Sequence, residues 1–115
     1  MGLAVGGLQR RLGEGLQFVE AGNGEEGLAL ARRYWPDVVV ADEIASRAGA
    51  FAMAKTLRDS VEPFPGIIVI LLDREQDAWL AKWSGADAWF TKPVDPFRLV
   101  DRVTELLDAR QKETA

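Results

Sequence analysis

The run Pro36-Asp37-Val38-Val39-Val40-Ala41-Asp42 constrains the fold more than any other stretch. Four apolar residues follow one another, three of them β-branched. The run is too short for a helix and lacks the alternation of a strand with one solvated face. It reads as a strand buried on both faces, hence the middle of a parallel sheet. Pro36 and Asp37 punctuate its start. Asp42 then stands at the carboxyl end, where open α/β sheets place their ligand sites. Taken alone, such an Asp serves equally well as a loop residue that caps or turns the chain.

The remaining elements alternate around this strand. Leu3-Ala4-Val5 reads as a very short strand stopped by Gly6-Gly7, and Leu8 to Glu14 as two helical turns ended by Gly15. Leu16 to Ala21 is a strand. Asn23 caps a helix with Glu26 at the capping-box position. That helix continues through Leu28 to Tyr34, until Pro36 stops it. A loop runs from Glu43 to Gly49. Ala50 to Arg58 is the next helix, with Phe51, Ala54 and Leu57 on one face. Pro63-Phe64-Pro65-Gly66 turns the chain into Ile67–Leu72, a second strand buried on both faces. Asp73 with Gln76 resembles a cap for a helix that points Trp79, Leu80 and Trp83 inward and ends at Gly85. Ala88-Trp89-Phe90 is a short strand followed by Thr91-Lys92-Pro93. Asp95-Pro96 supplies a cap and a first-turn proline. The last helix carries Phe97, Val100, Val103 and Leu107 on one stripe, with Leu99 and Leu106 beside it. Its tail from Arg110 is polar. Strands alternating with helices predict one α/β domain over residues 1–115 with a mainly parallel sheet. Right-handed crossovers bring Asp42, Leu72 and Lys92 to one edge.

Composition limits the chemistry. The 115-residue chain has no Cys and no His. Disulfides, zinc-thiolate sites and imidazole catalysis are therefore excluded. Any chemistry falls to carboxylates, Lys and hydroxyls. Lys and Arg number 14 against 18 Asp and Glu, a net charge of −4, which favours no nucleic acid partner. No apolar run approaches the roughly 20 residues of a membrane span. The expectation is a cytoplasmic domain with no membrane partner.

Two sets of residues point to function. Gly22-Asn23-Gly24-Glu25-Glu26-Gly27 follows a strand, opens a helix and precedes Asp42 by the spacing of a dinucleotide-binding fingerprint. Glu25 and Glu26, however, stand where pyrophosphate would meet the helix amides, and their charge repels it. A helix cap explains the same residues. The second set is Asp42 and Lys92, which end two strands at the same sheet edge. They form either a simple salt bridge or a phosphoryl-acceptor site, a carboxylate nucleophile with a cation to hold the added charge.

Three segments resemble the receiver domain of two-component response regulators. They are Val19 to Leu28, Pro36 to Asp42, and Gly85-Ala86-Asp87-Ala88-Trp89-Phe90-Thr91-Lys92-Pro93. Order and approximate spacing agree from about residue 16 to 107. The resemblance implies a flavodoxin-like (CheY-like) fold of five strands in the order 2-1-3-4-5. It implies Asp42 as phosphoacceptor, Lys92 as the phosphoryl-sensing cation, Trp89 as the switch aromatic and a cis Lys92-Pro93 bond. It also implies a partner surface in the last helix–strand–helix region, where Trp79, Trp83, Trp89 and Phe90 gather, with Trp89 and Phe90 leaving the strand on opposite faces so that Trp89 reaches solvent. The partner would be a sensor histidine kinase or an effector.

The departures bear on mechanism. Receivers carry an acidic pair at the end of the first strand to bind Mg²⁺, yet no acidic residue precedes Glu14. The first strand is short or missing. Leu71-Leu72 run straight into Asp73, where receivers place Ser or Thr. Ser46 stands in place of the usual Pro. The leading expectation is therefore a degenerate receiver acting through protein contacts, with weak or absent phosphorylation at Asp42. It has no catalytic residue, no metal ligand set and no cofactor, Mg²⁺ entering only if the acceptor site is active. The alternatives are a functional phosphoacceptor receiver and, third, a small dinucleotide-binding protein. A missing first strand also predicts unpaired edges between the second and third strands, and through them a homodimer.

Overall fold

The computed structural model describes residues 18–19, 28–29, 31–33, 36–42 and 49–114. The expected elements at 3–5 and 8–14, the 22–27 motif and its Asn23 cap, and the loop containing Ser46 lie outside the described residues. Four parallel strands form one sheet in the order β1-β2-β3-β4. They are β1 (Phe18–Val19), β2 (Val38–Asp42), β3 (Ile67–Leu72) and β4 (Ala88–Thr91).

The aliphatic runs behave as their composition requires. All six residues of β3 are buried. Ile68, Ile70 and Leu72 enter one core with Val39, while Ile67, Val69 and Leu71 enter the other with Val38 and Val40. Both faces are thus covered, and each such side chain contributes on the order of 2 kcal/mol by leaving water. The first face is covered by the helical residues 28–29 and 31–33, by α1 (Gly49–Asp59) and by α2 (Ala78–Trp83). The second is covered by α3 (Pro96–Thr114).

Helix rotation departs from expectation in two places. Trp79 and Trp83 do not point inward. They are 65% and 54% exposed, while Asp77, Ala81 and Ser84 face the core. The helix also begins later than expected, at Ala78, after a 3-10 turn over Glu75–Asp77 with Arg74 at its N-cap position. In α3, Leu99 and Val103 are fully buried and Val100 nearly so, but Phe97 is exposed. At 100° per residue Phe97 stands roughly a third of a turn from the centre of the stripe that meets the sheet. The start of α3 follows its local signals: the Phe97 N–H donates to Asp95 Oδ1 at 2.9 Å, with Pro96 in the first turn.

The strand order corrects the one implied by the resemblance. Phe18 and Val19 pair directly with Val38 and Val39. They are direct neighbours there, and the described sheet has four strands, the stretch at 3–5 lying outside the described residues. The unpaired edges expected between these strands are therefore closed at Val38 and Val39.

Candidate functional site

Asp42 and Lys92 are fifty positions apart, and the sheet register brings them together. Asp42 lies opposite Leu71 in β3, and Leu72 lies opposite Thr91 in β4. The Lys92 N–H then donates to the Leu72 carbonyl at 2.9 Å, extending the ladder one residue past β4. The Lys92-Pro93 peptide is cis. From there Lys92 Nζ donates to Asp42 Oδ1 at 2.8 Å. The carboxylate is the more enclosed partner, its side chain 11% exposed against 29% for the lysine. A charge-assisted hydrogen bond in this setting is among the stronger polar contacts a fold makes.

The surroundings limit what the pair can do. Leu72, at the end of β3, is fully buried and offers no hydroxyl. Thr91 ends β4 and is exposed. Among the described residues there is no group of three acidic, His or Cys side chains that could hold a metal. Mg²⁺ takes a near-octahedral shell of oxygens, including carboxylates and waters. Among the described residues, Asp42 is the carboxylate of this pair, and it already accepts a hydrogen bond from the Lys92 ammonium.

Trp89 and Phe90 flank the outer edge of β4. Trp89 packs against the core under α1 and α2, and Phe90 against the core under α3. Both are half-buried. With Asp87, Ala88 and Arg102 they line a shallow cleft of about 250 Å³.

A second polar cluster escaped the sequence reading. Arg58, in the last turn of α1, donates from Nε to the Gly85 carbonyl at 2.9 Å. Its Nη1 reaches the carbonyls of Phe64 and Gly66 at 2.7 and 3.0 Å, and its Nη2 the Asp87 carboxylate. Asp87 Oδ2 also accepts the Ile68 N–H at 2.7 Å. Arg110 of α3 approaches Asp87 Oδ1 at 3.7 Å. Burial pulls the Arg58 guanidinium below its ordinary pKa, and the Asp87 charge pushes it back. These partners lie up to 29 positions apart, so no local pattern announces them.

No protein-family model matches the chain. An uncharacterized response regulatory protein of Mycobacterium tuberculosis is 37% identical over 94 residues, which is 82% of this chain and 70% of that protein. Protein PilH of Pseudomonas aeruginosa is 37% identical over 95 residues, 81% of this chain and 78% of its own. The chain belongs to the response regulator receiver family. A match over 82% of 115 residues necessarily spans both Asp42 and Lys92. The solved signal receiver domain from Bermanella marisrubri superposes on this receiver with a TM-score of 0.76 at 21% identity, covering 93% of this chain and 88% of that one. A response regulator from Thermotoga maritima gives 0.70 at 22% identity, with 92% and 87% covered. These two likenesses establish the flavodoxin-like fold. The receiver's described helices include none long and apolar enough to cross a membrane.

Proposed function

We propose that this receiver is a signalling module that works through protein contacts, with weak or absent phosphorylation at Asp42. The observation that carries the reading is the closed Asp42–Lys92 pair, its carboxylate mostly enclosed, with no group of three potential metal-ligating side chains among the described residues. A phosphoryl group in transfer needs its developing charge held, chiefly by a metal. Nor does the end of β3 hold a hydroxyl to draw a switch loop inward. On this reading the chain is not an enzyme. It acts in the cytoplasm, and its partner is a sensor kinase or an effector protein received at the β4 edge around Trp89 and Phe90. A homodimer remains part of the proposal, now without the open strand gap as its cause.

The second reading, a working phosphoacceptor, is favoured by the retained placement of Asp42, Thr91 and Lys92 on one sheet edge. Tryptophan fluorescence separates the two. With millimolar Mg²⁺, and then beryllofluoride, the expected result is no saturable change. A Mg²⁺-dependent transition that disappears in Asp42→Asn would establish the phosphoacceptor instead.

A further inference from the structure

A cavity of about 410 Å³ opens at the pole of the sheet opposite Asp42, where the end of α1 meets the approach to β3. Its size lies at the low end of the roughly 300–1,000 Å³ that small-molecule sites occupy. Ala31, Leu57 and Phe64 form its floor, and all three are buried. The polar groups of the floor and wall are already engaged. The Phe64 N–H donates to the Leu57 carbonyl at 2.9 Å, and the Phe64 carbonyl accepts from Arg58 Nη1 at 2.7 Å. The Ser60 hydroxyl donates to the Thr56 carbonyl at 2.7 Å. A polar group pushed to the floor would lose water and gain little in return, so the floor suits an apolar body. The rim has the opposite character. Val61, Arg32 and Glu62 are exposed there, and neither charge makes an ion pair among the described residues. The two charges have opposite sign and come from different segments, the helical residues 31–33 and the turn after α1.

We propose that this cavity binds a free α-amino acid with an apolar side chain. The side chain enters over Leu57 and Phe64, the α-carboxylate meets the Arg32 guanidinium, and the α-ammonium meets the Glu62 carboxylate. Charge complementarity selects this class. A simple aliphatic or aromatic acid would bring its carboxylate to a rim that also carries Glu62, and an amine would bring its cation beside Arg32. A polar amino acid fails at the floor. A residue within a peptide chain has lost both charges, so a partner segment leaves the rim unused. The guanidinium matches a carboxylate through its paired N–H groups, which gives the ligand one orientation. Arg58 holds the Phe64 carbonyl and, through Nη2, the Asp87 carboxylate just ahead of β4. A ligand on Phe64 therefore rests on the same guanidinium that fastens the start of β4. The inference goes beyond the protein-contact reading and does not depend on it.

The test is a titration of the full chain, ¹⁵N-labelled, with L-phenylalanine and L-leucine, followed through the backbone amides. Phenylpropanoate lacks the ammonium, phenylethylamine lacks the carboxylate, L-serine lacks the apolar side chain, and N-acetyl-phenylalanine amide lacks both charges. The expected result is a saturable shift of the Ser60, Val61, Glu62 and Phe64 amides with the two apolar amino acids. Loss of either charge from the ligand should weaken binding about tenfold, and L-serine should give no saturable shift. The melting temperature should rise with L-phenylalanine concentration. Arg32→Glu should lower affinity for L-phenylalanine about tenfold and tighten phenylethylamine. Glu62→Gln should weaken L-phenylalanine to a similar degree and tighten phenylpropanoate. Both positions are exposed, so the melting temperature without ligand should not move in either variant. The absence of any saturable shift would overturn the proposal, as would equal binding of L-phenylalanine and phenylpropanoate. So would equal binding of the doubly blocked derivative, which marks a peptide site, or a shift confined to residues around Asp42. Asp42→Asn should leave the titration unchanged, so failure here is distinct from failure of the Mg²⁺ experiment.

Discussion

Arg58 ties two separate chain segments, 64–66 and 85–87, to the end of α1, and its removal should be felt beyond one lost ion pair. Arg58→Ala strips the carbonyls of Phe64, Gly66 and Gly85 and leaves Asp87 short of its counter-charge. A cost of about 3 kcal/mol in urea unfolding is expected. Arg58→Lys should recover only part of it, because an ammonium cannot reproduce the planar fork. Gly85 belongs to the same cluster. Its φ of +85° is one that side chains rarely adopt, and an added Cβ would meet Arg58 Cγ at 2.7 Å. Gly85→Ala should therefore destabilise by roughly 1–3 kcal/mol in the same assay. The sequence announced Gly85 as a helix end, a local fact. It did not announce Arg58, because a guanidinium's acceptors depend on which loops the fold brings beneath it.

The elements differ in how openly the sequence declares them. Val38–Asp42 and Ile67–Leu72 were legible because an unbroken β-branched run has few places to go. Asp95-Pro96 was legible because capping is decided within four residues. The rotation of α2 was not. Trp79, Leu80 and Trp83 satisfy a helical stripe, but so do Asp77, Ala81 and Ser84, and the small residues face the core. Ala54 of α1 and Ala81 of α2 share that core, both fully buried, which leaves no room for an indole between the helices. Ala81→Leu should accordingly cost about 1–3 kcal/mol through overpacking. Trp79→Ser and Trp83→Ser should each stay within about 0.5 kcal/mol of the parent in thermal or urea unfolding. The reverse ranking would mean that the tryptophans, not Ala81, support the fold.

Over the whole molecule, β3 is the protected centre, flanked by β2 and β4 and covered on both faces. Its amides should exchange with solvent only through global unfolding, while those of the two-residue β1 exchange soonest among the strands. Hydrogen exchange followed by NMR would show this gradient. The direct β1–β2 pairing was illegible in the sequence, since a pair so short is fixed by what it docks against rather than by its own composition. The Asp42–Lys92 pair, by contrast, followed from strand ends alone, because parallel strands deliver their carboxyl termini to one edge. The Arg58–Asp87 cluster grips the other edge: Asp87 bonds Ile68 at the start of β3, and Lys92 bonds Leu72 at its end. Four residues of strand separate them by about 13 Å. Asp42→Asn alone should cost about 1–3 kcal/mol. Combined with Asp87→Asn its effect should add to within about 0.5 kcal/mol, since sites this far apart rarely couple. A sheet pinned independently at its two poles lets each be rebuilt on its own: substitutions around Asp42 leave the grip of Arg58 and Asp87 on the opposite end intact.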